Sequence, residues 1–261
     1  MIYSLTWLPE ALRSAGLKVA ESPGWAERAC RPGAAGQMGA IQGVFVHHTA
    51  TTAKGNMPSL NTLLQGRPGI PAPLAQLGLA RDGTFYVLAA GRANHAGTGD
   101  GAWKSVSGNS HYIGIEAENP LPYNADWPEV QLDAYVRGVA AILKHEGLGV
   151  QGCVAHKEYA PSRKPVDPAF DMGDFRKRVS AVMNGTGAVR PLIPSADPAG
   201  RRTLRRGDRG DDVKIVQKAV GAGVDGKFGV NTEVAVREFQ RGKKLVPDGI
   251  VGPMTWAAIA P

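Results

Sequence analysis

Val44-Phe45-Val46-His47-His48 is a continuous, partly β-branched apolar run that ends on two histidines. A strand covered on one face alternates apolar and polar residues; this one does not, so it reads as an inner strand covered on both faces. The flanking sequence agrees. Upstream, Leu8 to Gly16 reads as a short helix ending at glycine, and residues 22–43 are rich in Gly, Pro and Ala, as in a loop that wraps the following domain. Strands are expected to begin only after that loop. Downstream, Thr49 to Pro73 reads as loop with a short helix. Leu77 to Ala90 holds Arg81-Asp82-Gly83-Thr84, a hairpin-turn signal between two apolar runs, and Tyr112 to Glu118 reads as another strand. Val130 to Glu146 places Leu132, Tyr135, Val136, Val139, Ile142 and Leu143 at helical spacing, with Gly147 as its C-cap. Val150 to Ala155 then returns as a strand, and Asp174 to Met183 closes as a helix. The expected fold class is α/β, a central mixed β-sheet of at least four strands flanked by helices.

The stretch Asn184 to Gly200 (NGTGAVRPLIPSADPAG) has the composition of a linker. The expected division is a larger domain over 1–183 with an N-terminal extension, a linker over 184–201, and a small domain over 202–261. That last segment repeats itself: Asp225-Gly226-x-x-Gly229-x-x-Thr232-x-x-Ala235-Val236 recurs as Asp248-Gly249-x-x-Gly252-x-x-Thr255-x-x-Ala258-Ile259. Each copy reads as a glycine turn feeding a helix, with Thr placed to cap it and the apolar pair facing a core. Val213, Val216 and Val220 supply a further helix. Three short helices leave little room for an enclosed active site, so binding is the expected task of this part.

The whole chain has 261 residues, 43% hydrophobic and 20% charged, enough for a sizeable core in an ordinary globular protein. Its formal net charge of +7 makes a polyanionic partner worth considering, such as nucleic acid, an anionic membrane or a bacterial wall. From Arg201 onward 12 Lys and Arg stand against 7 Asp and Glu, so most of the excess belongs to the small domain. No basic segment is interleaved with aromatics as a nucleic-acid stacking groove requires, which argues against that partner. Cys30 and Cys153 are the two cysteines, and no CxxC pair offers a structural metal site. The start, MIYSLTWLPEALRSAG, has neither a basic n-region nor a long apolar run. The expectation is a product made in the cytoplasm, with no membrane insertion.

Six histidines are few enough to consider singly. His145 lies off the apolar spacing of its helix and reads as solvated, and His111 has no evident partner. His47 and His48 end an apolar strand, where an imidazole without a hydrogen bond is costly to bury, so a metal role and a satisfied core role both stay open. His156 likewise follows an apolar strand, in the segment HKEYAPSRKPVDPAFDM, whose prolines on either side of Asp167 stiffen the loop. Two imidazoles and a carboxylate suffice for a catalytic zinc with its fourth position open. The HxE at His156 lacks the downstream PCxxC of zinc deaminases, which excludes that chemistry. In Ile113-Gly114-Ile115-Glu116-Ala117-Glu118 the strand period puts both isoleucines on one face and both glutamates on the other. Glu116 or Glu118 could serve as a general base beside a metal, or both could be ordinary edge carboxylates.

These segments together resemble a known family. Val46-His47-His48-Thr49, Ile113-Gly114-Ile115-Glu116, and Ala155-His156-Lys157-Glu158 through Arg163-Lys164-Pro165-Val166-Asp167-Pro168 are similar to the three signature segments of the type-2 N-acetylmuramoyl-L-alanine amidases, which include phage amidases and peptidoglycan recognition proteins. The resemblance covers residues 20–182. It implies zinc held by His47, His156 and Asp167, Glu116 as base, and Lys164 as stabiliser of the oxyanion. Asn94-His95-Ala96-Gly97 resembles the family's groove-lining segment, with Asn where Trp is common, and implies substrate contact for His95; His48 is expected as a groove neighbour. LRRGDRGDDVKIVQ, VDGKFGVNTEVAVREFQ and PDGIVGPMTW resemble the peptidoglycan-binding domain of wall hydrolases over Leu204 to Ile259. Both resemblances point to peptidoglycan as partner.

The implied function is zinc-dependent hydrolysis of the bond between N-acetylmuramic acid and L-alanine, by a monomer acting on the wall as a phage or prophage endolysin. Three rivals remain at this stage. A non-catalytic receptor would lack a zinc ligand, a recycling amidase would have little use for a polymer-binding domain, and a muramidase would work through Glu116 and Glu118 as a carboxylate pair.

Overall fold

The computed structural model describes residues 1–120, 127–186, 199–245, 247 and 249–259. The linker expected over 184–201 lies mostly outside the described residues, as does Asp248 of the second repeat. Contacts divide the chain into two units, Met1–Val189 and Arg190–Pro261. Among the described residues no helix is long and apolar enough to cross a membrane.

The first unit carries a six-stranded mixed sheet. In chain order its elements are α1 (Leu8–Ser14), β1 (Lys18–Glu21), β2 (Gly43–His48), α2 (Leu60–Gln65), β3 (Gly66–Arg67), β4 (Ile70–Pro71), β5 (Leu77–Leu79), β6 (Thr84–Val87), α3 (Gly108–His111), β7 (Tyr112–Ala117), α4 (Glu129–His145), β8 (Cys153–Ala155), α5 (His156–Tyr159) and α6 (Met172–Met183). The sheet order is β1-β6-β5-β7-β2-β8, with β3 and β4 forming a separate hairpin. β5, β7, β2 and β8 run parallel to one another, and β6 turns back antiparallel to β5 through the expected hairpin. All six residues of β2 are buried, as its unbroken apolar run requires of an inner strand.

Three boundaries differ from the sequence reading. A strand precedes the 22–43 loop: β1 pairs parallel with β6 at the edge of the sheet, and its half-exposed Lys-Val-Ala-Glu carries no apolar run to reveal it. Val150–Gly152 is a 3-10 turn, so the returning strand is only Cys153–Ala155. α6 begins two residues earlier than expected, because Asp171 accepts from the Asp174 amide at 2.7 Å and so caps the helix ahead of Met172. Gly147 ends α4 as expected, at φ +66°, a backbone conformation a side chain would strain.

α4 packs against β2 and α6, and α1 packs against α4. Its apolar stripe carries one polar group with a structural task. Tyr135 is fully buried, and its hydroxyl accepts from the His47 amide at 2.8 Å and lies 3.0 Å from the carbonyls of both His47 and Ile115. The phenol thus ties β2 to β7 at the end of the parallel strands. Tyr135→Phe leaves a buried N–H and a carbonyl unpaired, and we expect a loss of about 1–3 kcal/mol in the denaturant unfolding of the first unit. An unchanged midpoint would show that the phenol is dispensable.

The second unit packs α7 (Asp211–Val220), α8 (Val230–Gly242) and α9 (Pro253–Ile259) around Leu204, Val213, Val216, Phe228, Val236, Val251 and Trp256. The repeat has a physical basis in two glutamines 23 residues apart. Gln217 accepts from the Gly226 amide at 2.9 Å and donates to Thr232 Oγ1 at 3.0 Å. Gln240 does the same with the Gly249 amide at 2.9 Å and Thr255 Oγ1 at 3.1 Å. The threonines therefore do not cap their helices as expected. α8 starts at Val230 after Gly229, which puts Thr232 inside the first turn, buried against Gln217.

Candidate metal and active site

Adjacent parallel strands carry the key groups to one end of the sheet. The register sets His47 opposite Glu116 and Val46 opposite Ala155, so His156, the residue after β8, falls beside His47. Glu116, His47 and His156 thus form a row at the carboxyl ends of β7, β2 and β8, the edge where open α/β sheets place their ligands. Asp167 reaches the row from the loop after α5. His47, His156 and Asp167 are 0%, 3% and 4% exposed, which excludes a solvated cluster, and their ligand atoms lie within 4.8 Å of one another.

Within the cluster His47 Nδ1 and His156 Nδ1 are 3.0 Å apart, and Asp167 Oδ2 lies 3.0 Å from His156 Nδ1 and 3.7 Å from His47 Nδ1. Asp167 Oδ1 accepts from the His48 amide at 2.8 Å. Burial alone would raise the Asp167 carboxyl, but the adjoining His156 and His47 rings outweigh it and hold it well below the usual carboxylate range. Burial pushes His47 down to about 4 against the pull of Asp167, which keeps the imidazole neutral at physiological pH. A neutral imidazole and an ionised carboxylate are the forms that bind a divalent cation. His156 Nε2 faces the Ala96 carbonyl at 3.0 Å, an acceptor only, so it carries the proton and its Nδ1 meets the cluster bare. The donor set fits zinc, which takes imidazole nitrogen and carboxylate oxygen in a tetrahedral site.

The HKE segment divides its labour. His156 enters the cluster. Lys157 donates to the carbonyls of Pro168 and Phe170 at 3.0 and 2.6 Å, while its amide donates to the Asp167 carbonyl at 2.7 Å, so the loop bearing Asp167 is held at three points. Glu158 accepts from the Ala155 amide at 2.9 Å and pairs with Arg176, which donates to the Cys153 carbonyl.

Glu116 is partly exposed, yet its Oε2 is buried with no hydrogen-bond partner among the described residues. Burial, together with the Asp167 carboxylate, pushes Glu116 up to about 8; Lys164 and Arg67 act the other way. Lys164 is half-exposed, with Nζ 3.8 Å from Asp167 Oδ2. Glu118 is fully buried and accepts from Thr49 Oγ1, Ser59 N and Ser59 Oγ at 2.8, 2.9 and 3.1 Å, so it anchors the loop after β2.

The remaining histidines fall elsewhere than expected. His48, assigned to the groove by resemblance, lies on the strand face opposite His47; it is 5% exposed, its ring still feels the charges of Asp167 and Lys164, and its amide donates to Asp167. His95, also assigned to the groove, is 6% exposed and sits behind His47, with its Nδ1 3.1 Å from His47 Nε2 and its Nε2 3.2 Å from the Tyr112 carbonyl. Asn109 Oδ1 accepts from the amides of His95 and Ala96 and seats that loop inward. His111 does have a partner, the Ala40 carbonyl at 2.9 Å, and His145 stacks on Trp7 at 3.8 Å.

The family model of the N-acetylmuramoyl-L-alanine amidases matches residues 37–169, half of the chain. The chain belongs to that family. The matched segment contains His47, Glu116, His156, Lys164 and Asp167, and a second model, for a peptidoglycan binding domain, matches residues 209–259. An uncharacterized protein in the bpoA1 3' region of Kitasatospora aureofaciens is 46% identical over 63 residues, 22% of this chain and 53% of the relative. The N-acetylmuramoyl-L-alanine amidase CwlL of Bacillus licheniformis is 29% identical over 136 residues, 47% of this chain and 38% of the relative. The chain thus spans about half or less of the length of these curated relatives. A solved mutant endolysin from Bacillus subtilis is 18% identical, with a TM-score of 0.44, over 62% of this chain and 99% of that one.

Proposed function

We propose that this amidase-family chain hydrolyses the amide between the lactyl carbonyl of N-acetylmuramic acid and L-alanine, with zinc held by His47, His156 and Asp167. The observation that carries the reading is the row of Glu116, His47 and His156 at the strand ends, closed by Asp167, inside the segment matched by the family. Bound there, zinc would supply Lewis acidity that polarises a carbonyl and lowers the pKa of water towards about 7, and its charge would favour ionised Glu116. Glu116, with an unengaged carboxylate oxygen, takes the proton of the attacking water and returns it to the departing L-alanine amine. Lys164 offers its half-exposed ammonium to the oxyanion as charge develops. Glu118 takes no part, since its oxygens are occupied by Thr49 and Ser59.

The domains we assign are catalysis over 1–183, a linker over 184–201, and peptidoglycan binding over 202–261. A module that binds polymer has little use on soluble fragments, which favours intact wall as substrate and a lytic role of the phage or prophage endolysin kind. Purified peptidoglycan digested with and without a chelator tests the reading. Stem peptides with a free L-alanine amine should appear in mass spectra only when metal is present. Chelator-insensitive release, or cleavage between sugars, would overturn it.

A further inference from the structure

A carbonyl deep in the sheet decides which nitrogen of His47 is bare. The Tyr112 carbonyl can only accept, so His95 Nε2, 3.2 Å away, carries the proton and donates to it. His95 Nδ1 is then a lone pair facing His47 Nε2 at 3.1 Å, and His47 must donate from Nε2. His47 Nδ1 is left without a proton, turned toward His156 Nδ1 and Asp167 Oδ2. Since His156 is fixed the same way by the Ala96 carbonyl, all three donor atoms converge as lone pairs, an arrangement that repels itself until a cation sits among them.

We propose that His95 is a positioning residue of the metal site, which holds His47 in its Nδ1-ligating tautomer by relaying the Tyr112 carbonyl, and contacts no substrate. The fold makes room for the ring. A Cβ on Gly114 would lie 2.5 Å from His95 Cγ, so the glycine between Ile113 and Ile115 is needed to admit the imidazole. Phe45 meets the ring edge-on, with centroids 5.7 Å apart at 89°, and Asn109 fixes its main chain. This glycine, within the strand that carries Glu116, therefore has a cause in the geometry of the neighbouring ligand.

The inference rests on the metal reading, and one titration separates the two. Zinc affinity is measured by competition with a chromophoric chelator for the wild type, His95→Leu and His95→Gln. Leucine removes both polar atoms; glutamine keeps one acceptor and one donor. His95→Leu should bind zinc about 10–100-fold more weakly, the usual cost of losing an outer partner, and His95→Gln should recover most of that loss. If His95→Leu does not fold, Gly114→Ala, which displaces the ring but keeps it, goes into the same assay and should weaken zinc binding likewise. Wild-type affinity in His95→Leu, or equal losses in the leucine and glutamine variants, would overturn the relay while the metal site stands. A wild type that binds no zinc would overturn the metal site and the relay with it.

Discussion

Glu116→Gln should lower turnover on peptidoglycan by about 10²–10⁴-fold, the range a positioned general base contributes, while zinc content should stay at the wild-type level. The variant keeps the shape and loses the proton acceptor. Glu116 lies beside His47 in register but outside the His47–His156–Asp167 cluster, so its change leaves the ligand set whole. Among the described residues its Oε2 has no partner to lose, and the fold should tolerate the amide. Kinetics and metal analysis on one preparation decide the matter: full activity removes Glu116 from catalysis, and lost zinc makes it a structural support. Glu118→Gln should do the opposite, with turnover changed less than stability, because that side chain ties Thr49 and Ser59 to the strand. A carboxylate enclosed in this way cannot serve as one half of a glycosidase pair, which removes the muramidase reading on geometric grounds.

A pH effect accompanies the Glu116 change. In the metal-free protein Glu116 titrates near 8, above its ordinary 4.5, because burial and Asp167 disfavour its charge. A folded-state pKa raised above the unfolded one contributes stability at low pH, lost as pH rises through the folded value. Metal-free wild type should therefore lose stability as pH rises from about 4.5 to about 8, and Glu116→Gln should lack that part of the loss. Parallel melting curves for the two proteins across this range would refute the assignment.

The parts of this fold written in local pattern were legible from sequence. β2 announced itself by an unbroken apolar run, the β5–β6 hairpin by Asp82-Gly83, and α4 by its spacing and Gly147. The parts set by neighbours were not. β1 is half-exposed and is a strand because β6 offers it an edge. Thr232 looks like a cap in one dimension, and becomes a partner of Gln217 only when α7 is packed against α8. At the site, resemblance assigned residues to tasks, and the structure separates those that converge from those that do not. His47, Glu116 and His156 are brought together by parallel register and Asp167 by the loop after α5, whereas His48 is turned to the other face by the same alternation that turns His47 inward. Tyr135 and His95 show the limit most clearly. One looks like a core aromatic and the other like a groove residue, and each has its role through carbonyls that no local spacing encodes: Ile115 for Tyr135, Tyr112 for His95.

Asp167→Ala should abolish both zinc binding and hydrolysis, and it should also make the first unit's melting temperature indifferent to chelator. Asp167 is the only anion among the three candidate ligands. Its loss leaves two neutral nitrogens, so zinc affinity should fall by more than the ~10–100-fold typical of an outer partner. The thermal readout follows from linkage. A ligand present at ~1,000 times its dissociation constant stabilises the native state by about 4 kcal/mol, and for a unit of this size each kcal/mol is worth about 2–4 °C. Stripping zinc from the wild type should thus lower the first transition by on the order of 10 °C, whereas the variant should melt alike with and without chelator. The measurement also distinguishes a ligand from a mere structural acid. Asp167 supports its own loop through the His48 amide, so metal-free Asp167→Ala can be less stable than metal-free wild type for that reason alone. Only loss of the chelator response marks it as a ligand, and a variant that still shifts with chelator would require another residue to complete the site.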